Sequence, residues 1–396
     1  MILQKKLTSL AKWARKAAVV VVAVLSFSAM PAMAEDPIRI GAVTSVTGPA
    51  SYLGEPEKNA LELMVEQVNQ EGGVLGRPLE LVLYDDATNP ERARTMMQRL
   101  LTQDRVSAVI GGSITASSLA METLASRHAV PQLSMAGARI LSEPVKEWLF
   151  AIPESDVMSA RVIYEHMKKS GISKIALVSS TAGYGRAAGE VFIEQAKRDD
   201  GIEIVMHETY APGDTDMSAQ LTRIRGNGDV QAILNLDAGN QPAILARNRA
   251  ALGIEQPLYM SHSMAAPEFP ALVGTTASNG LLLPAPPIMI AEQLEERSDL
   301  RDVNMKFLKL YQDRYGHAPN TFAGIAHDAI LVLVEAIRRA GSTKPAAIRD
   351  GVEQIQDLVG VNNSALAFGP DNHGGVFEES SMRMVEIREG RFVLID

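Results

Sequence analysis

The 396-residue chain contains no cysteine. That absence excludes disulfides, thiolate metal sites, a cysteine nucleophile and the lipidated cysteine that tethers some exported bacterial proteins. Basic residues are also outnumbered, with 38 Lys and Arg against 47 Asp and Glu and a net charge of −9. Lys5, Lys6, Lys12, Arg15 and Lys16 precede the apolar run Ala17 to Phe27, and Ala32-Met33-Ala34 follows it. That order is the pattern of a secretory leader. A bilayer span needs about 20 consecutive apolar residues, and neither this run nor any later one is long enough. Cleavage after Ala34 removes five of the 38 basic residues and no acidic one, which leaves 33 against 47 and a net charge of −14. Such a surface opposes nucleic acid and anionic lipid. The mature chain is expected to be free in the periplasm, with no direct membrane insertion.

Motifs of covalent and cofactor chemistry are missing too. There is no GxSxG, no Walker sequence, no GxGxxG and no HExxH, so no catalytic residue, cofactor or metal is expected. Asp214, Asp216 and Ser218 imitate the start of a calcium loop, but Ala219 stands where Gly is required and Arg225 where Glu is required. Asp85-Asp86 is read as a structural feature of a strand end.

What is present is a rhythm. Strand-like runs at 38 to 43, 79 to 84, 106 to 110 and 132 to 135 alternate with helical stretches. The first helix is expected near Pro56, with Leu61, Met64, Val65 and Val68 on one face and Gly72-Gly73 as its stop. The pattern restarts at 174 to 180 and continues through 202 to 210, 232 to 236 and 258 to 260. Strands alternating with helices imply parallel sheets covered on both faces. About 362 residues after Ala34 exceed one core, so two α/β lobes are expected. Helices are expected at 302 to 315, 323 to 340 and 345 to 357, and 382 to 387 with 391 to 395 read as a β-hairpin around Gly390.

With these elements in place, the segments IRIGAVTSVTGPASYLG at 38 to 54, VNQEGGVLGRPLELVLYDDATNPERA at 68 to 93, VIGGSITASSLA at 109 to 120 and GYG at 183 to 185 resemble the periplasmic binding proteins of the branched-chain amino acid importer type. Further segments, SHSMAAPEF at 261 to 269, PNTFAGIAHDAILVL at 319 to 333 and FGPDNHGG at 368 to 375, look similar to a branch that takes aromatic acids. The resemblance implies type I topology, with two flavodoxin-like lobes joined by a three-segment hinge. The crossings are placed near Ser155, Ala285 and Gly360. Lobe 1 then comprises 35–155 with 286–359, and lobe 2 comprises 156–285 with 360–396. It also implies a solute-binding component of an ABC importer, a monomer that closes on its solute and delivers it to an inner-membrane permease.

Ligands of open parallel sheets sit beyond the carboxyl ends of the strands. Four such places here are rich in small or hydroxylated residues: Pro49 to Tyr52, Gly111 to Ser118, Ser134 to Arg139 and Gly183 to Gly185. They give Ser51, Tyr52, Ser113, Thr115, Ala136, Gly137 and Tyr184 as candidate ligand contacts, joined by Asp237 and His262 at later strand ends. By the resemblance, Thr115 matches a hydroxyl that grips the solute carboxylate, Ala136 a main-chain N–H donor to the same group, and Tyr184 a tyrosine reaching from the second lobe. Arg139 either neutralises an acidic solute or pairs with a carboxylate such as Glu143. The chain departs from the family's amino-acid binders at Ser261-His262-Ser263, where they carry an acid that pairs with the ligand ammonium, and at Ala138, where they carry Thr. The solute is therefore expected to be a small carboxylate without an α-ammonium, an aromatic or 2-oxo acid. The alternative is a branched-chain or other aliphatic amino acid, with Asp237 in position to replace the missing acid. A ligand sensor acting on a membrane receptor and a periplasmic small-acid hydrolase are the readings from other classes.

Overall fold

The computed structural model describes residues 36–181, 183–375 and 381–395. The expected leader lies outside them. Strands β1 (Ile38–Thr44), β2 (Leu79–Asp85), β3 (Ala108–Gly111), β4 (Gln132–Ser134) and β5 (Leu149–Ala151) form an all-parallel sheet in the order β2-β1-β3-β4-β5. The second sheet contains β6 (Lys174–Ser180), β7 (Glu203–Tyr210), β8 (Ala232–Leu236), β9 (Leu258–Met260) and β10 (Leu282–Ala285) in parallel. An antiparallel hairpin of β11 (Arg383–Arg388) and β12 (Arg391–Leu394) extends it, giving the order β12-β11-β10-β9-β8-β6-β7.

Both sheets are α/β layers of the same kind, and in each the strand order reverses beside its first strand, between β1 and β3 and between β6 and β8. Those reversals are where a crevice opens at the carboxyl ends of the strands. Each sheet is sealed on two faces. Ile38, Ile40, Leu133 and Phe150 pack with the helices Ser51–Gln70 and Thr321–Ala340 on one face of the first sheet, and Val43, Val109, Met97 and Leu124 pack on the other. Strands buried on both faces have no polar alternation to keep, and β3, β8 and the Ile175–Val178 stretch of β6 read accordingly as runs of Val, Ile, Leu and Ala with little interruption.

The helix expected near Pro56 begins five residues earlier, at Ser51, and Pro56 lies inside it. Proline is tolerated there at the cost of one backbone bond, the N–H that would have reached the Tyr52 carbonyl. Gly54 lets this helix close on the end of β1, since a Cβ there would lie 2.2 Å from the Ser45 carbonyl carbon. Gly185 does the same in the second lobe, against the Ser180 side chain and the Leu236 carbonyl.

One boundary needs correction. Residues from 360 onward were expected with the second lobe, but Val361, Leu366 and Phe368 pack in the first lobe's core. The His373 carbonyl accepts from Ala151 N at 2.8 Å, and the His373 ring stacks on Phe150. The chain therefore stays with the first lobe through Gly375 and belongs to the second sheet from Arg383. The stretch before it contains only isolated bridges, Leu358 with Leu366 and Gly369 with Asn372, so it offered no strand period to read.

Candidate functional site

The carboxyl ends of β1, β3 and β4 carry the first-lobe candidates, and those of β6, β8 and β9 carry Tyr184, Asp237 and His262. Thr115 is the first residue of the helix Thr115–His128. Free backbone N–H groups and the positive end of the helix dipole collect there. Its N-cap is Ile114, which has no side-chain acceptor to satisfy those donors. Ser51 opens the helix Ser51–Gln70 on the opposite face of the same sheet, and Tyr52 beside it packs edge-on against Phe322 with ring centroids 5.9 Å apart.

Two expected contacts turn out to be committed within the first lobe. The Ser113 hydroxyl accepts from Ser45 N at 2.9 Å and donates to the buried Glu57 carboxyl. Ala136 N, expected as a free main-chain donor, donates to Ser134 Oγ at 3.1 Å. Neighbouring Gly137 is pressed against the Glu154 carbonyl, where a Cβ would come to 2.7 Å. Beneath them Asp86 accepts from Ser45 Oγ at 2.7 Å and Ser117 Oγ at 2.6 Å. This makes Asp86 a structural anchor under the site, in keeping with the reading of Asp85-Asp86. Glu57 is fully buried with Oε1 unpartnered. Burial first, and Asp86 after it, push its carboxyl well above the usual range although the Ser113 bond pulls the other way.

In the second lobe the Tyr184 hydroxyl donates to Asp156 Oδ1 at 2.7 Å, and its ring meets His262 edge-on at 6.1 Å. His262 is half-buried, yet its Nδ1 is sealed from solvent without a partner. Burial lowers the imidazole to about 4, so it is neutral at physiological pH. Asp237 is buried at 7 % exposure. Burial raises its carboxyl to about 6, opposed by bonds from Ala238 N and the Tyr210 hydroxyl, and no cation pairs with it among the described residues. The segment Ser261-His262-Ser263 bears directly on this aspartate. Ser261 Oγ and Ser263 Oγ both donate to the Asp237 main-chain carbonyl, at 3.0 and 2.8 Å.

The two lobes meet at this place. Tyr52 of the first lobe is 41 % exposed, and its phenol is raised by partial burial and then by the negative charge of Asp237 from the second. Thr321 Oγ1 donates across the gap to the Ala265 carbonyl. Arg139 pairs with Glu194 of the second lobe at 2.9 Å, and with the expected Glu143 only at 3.9 Å. Asp156, Tyr210, Glu57 and Thr321 were not among the sequence candidates. A signal existed for Asp156 alone, as an acid in a first helical turn behind the Ser155 cap. A depression of about 560 Å³ on the first lobe, lined by Glu62, Val65, Glu66, Leu81 and Leu83, lies on the outer edge strand and shares no residue with the site.

Comparison with known proteins agrees with this architecture. The family model described as periplasmic binding protein matches residues 37–391. A leucine-, isoleucine-, valine-, threonine- and alanine-binding protein of Pseudomonas aeruginosa is 26 % identical over 323 residues, covering 81 % of this chain and 83 % of its own. An extracellular ligand-binding receptor from Rhodopseudomonas palustris HaA2 has a similar structure, with a TM-score of 0.81, 27 % identity and coverage of 91 % of this chain and 100 % of its own. The fold is also shared with a branched-chain amino acid transporter substrate binding protein from Streptococcus pneumoniae in complex with isoleucine, with a TM-score of 0.78, 24 % identity and coverage of 90 % and 98 %.

Proposed function

The chain belongs to the periplasmic binding protein family, and on that premise we propose that it is the exported solute-binding component of an ABC importer, capturing a zwitterionic aliphatic amino acid between its lobes. The single observation that carries the solute class is Asp237, a buried carboxylate with no cation set against it among the described residues. Burying an unpaired charge costs several kcal/mol, so an incoming ammonium gains here what it would lose elsewhere. The opposite pole is the helix start at Thr115, which suits the solute carboxylate. The names of the relatives point the same way, one binding leucine, isoleucine and valine among others and one solved with isoleucine.

This choice reverses the order in which the sequence ranked the two solute classes. The reason is the placement of Ser261 and Ser263. They stand where the acid of an amino-acid binder was expected, and they hold the main chain of Asp237 instead. An amine-free acid, aromatic or 2-oxo, is the second reading, and the observation that favours it is the unpartnered Nδ1 of neutral His262 beside Tyr184.

On this reading the leader is cleaved after Ala34, and the mature protein docks as a monomer on its permease from the periplasm. No described helix is long and apolar enough to cross a membrane. The test is titration calorimetry on protein stripped of carried-over ligand, comparing L-leucine with 4-methyl-2-oxovalerate, in which a keto oxygen replaces the ammonium and hydrogen of the α-carbon. Tighter binding of leucine is expected. Tighter binding of the 2-oxo acid overturns the assignment to Asp237 and selects the second reading.

A further inference from the structure

Two polar contacts join the lobes without involving any group of the proposed solute. Thr321 Oγ1 donates to the Ala265 carbonyl, with Thr321 at 4 % and Ala265 at 0 % exposure. Arg139 Nη2 meets Glu194 Oε2 at 2.9 Å, both side chains about one-third exposed.

The donor of the first contact sits at a fixed helix end. Thr321 opens the helix Thr321–Ala340. The Asn320 side chain caps that helix by accepting from Phe322 N and Ala323 N at 3.1 and 3.0 Å, and Asn362 Nδ2 donates to the Thr321 carbonyl at 2.9 Å. The acceptor is equally well placed. Ala265 ends the turn His262–Met264, its N–H returning to the His262 carbonyl at 2.9 Å, and Ser261 and Ser263 of the same segment hold Asp237. The bond therefore ties the fixed end of a first-lobe helix to the segment that shapes the second-lobe pole of the site.

We infer that Thr321 is a positioning residue for closure, its hydroxyl clasping the Ala265 carbonyl so that the closed form is favoured by a contact the solute does not make. The inference rests on the two-lobed capture proposed above. Magnitudes rank the two contacts. A partly exposed ion pair such as Arg139 with Glu194 is screened and worth about two- to fivefold in an equilibrium. A buried carbonyl left without its donor costs more, about 5- to 150-fold. When the lobes part, water can reach the Ala265 carbonyl, so loss of the hydroxyl penalises the closed form selectively. The expected consequence is a smaller closed population and faster release of solute.

The absence of native cysteine makes the test direct. Spin labels at Glu62→Cys and Glu255→Cys, exposed positions on the first and second lobes, report the interlobe distance by pulsed electron resonance, without ligand and with excess L-isoleucine. Thr321→Val should shift the distribution toward the longer distance, and Thr321→Ser, which keeps the hydroxyl, should restore the wild-type pattern. Release of isoleucine by stopped flow should quicken in Thr321→Val by the same factor. Circular dichroism melts establish that each variant is folded. Should Thr321→Val not fold, Thr321→Ala, which also lacks the hydroxyl, serves in the same measurement. A closed fraction unchanged in Thr321→Val overturns the inference, as does a Thr321→Ser variant as impaired as the valine. So does a wild type fixed at the long distance in every condition. A wild type that closes without ligand but ignores isoleucine instead counts against the solute assignment and leaves the clasp standing.

Discussion

The hydroxyl of Tyr184 donates to Oδ1 of Asp156 at 2.7 Å, which ties a candidate solute contact to the first residue after the passage from the first sheet to the second. Asp156 opens the helix Asp156–Lys169 directly behind the cap Ser155, which accepts from Met158 N. Burial raises the Asp156 carboxyl to about 6, and the Tyr184 bond is what holds it from rising further. Burial, and then the charge of Asp156, keep the tyrosine protonated by raising it well above its ordinary value.

Removing that hydroxyl should therefore register in two ways. In Tyr184→Phe the buried carboxylate loses its donor, which costs about 1–3 kcal/mol of stability at neutral pH. The Asp156 carboxyl should also move further up. Thermal melts check the first outcome and carbon-detected NMR titration of the aspartate the second. An unshifted Asp156 would show that burial alone sets its state.

Asp237→Asn separates the two solute classes at a single position. If the carboxylate meets an ammonium, breaking that buried pair should weaken leucine binding by about 3 kcal/mol or more, while 4-methyl-2-oxovalerate changes little. Calorimetry on the stripped variant reads both. Equal losses for the two solutes would mean that Asp237 shapes the site without pairing with an amine.

Thr115→Ala should behave differently, because the carboxylate is common to both solutes. Losing one donor to a charged oxygen is worth about 1.5–3 kcal/mol, roughly a tenfold to hundredfold rise in Kd for each. The same variant should leave the melting temperature nearly unchanged, since Ile114 and not Thr115 occupies the N-cap.

The sequence made the two parallel sheets legible because buried strands such as Ala232–Leu236 and Lys174–Ser180 stand as apolar runs between helical stripes. It hid Leu149–Ala151 and Leu282–Ala285, and in the second of these Pro284 argues against a strand interior. The helix start at Ser51 was missed because Pro56 is so well suited to a first turn. At the site, strand ends and a helix start located Thr115, Tyr184 and Asp237, since position along the chain is enough to place a residue at a crevice. Position cannot reveal what a hydrogen bond has already consumed. The Ser113 hydroxyl and Ala136 N–H are spent on Glu57 and Ser134, partners 56 and 2 residues away. Nor does it reveal Thr321, whose acceptor Ala265 lies 56 residues upstream in the other lobe.

The buried acids also set how stability varies with pH. Glu154 is 2 % exposed with Oε1 unpartnered, and burial raises it from 4.5 to about 8, with Asp328 adding to the rise. Between those values the folded protein holds a proton that the unfolded chain has released. Stability supplied by that proton is complete below about pH 4.5 and is lost as pH rises toward 8. Asp156 and Asp237, raised to about 6, act in the same sense over a lower window, from 3.8 to about 6. His262, lowered from 6.5 to about 4, acts in the opposite sense there, because the unfolded chain binds the proton that the folded state refuses. Above pH 6.5 these three have finished titrating, and Glu154 still contributes a decline. Glu154→Gln should flatten the fall in melting temperature between pH 6.5 and 8 and stabilise the protein at pH 8 by an amount on the order of a few kcal/mol. Melting curves of both proteins across that range check it, and parallel pH profiles would remove Glu154 from the account.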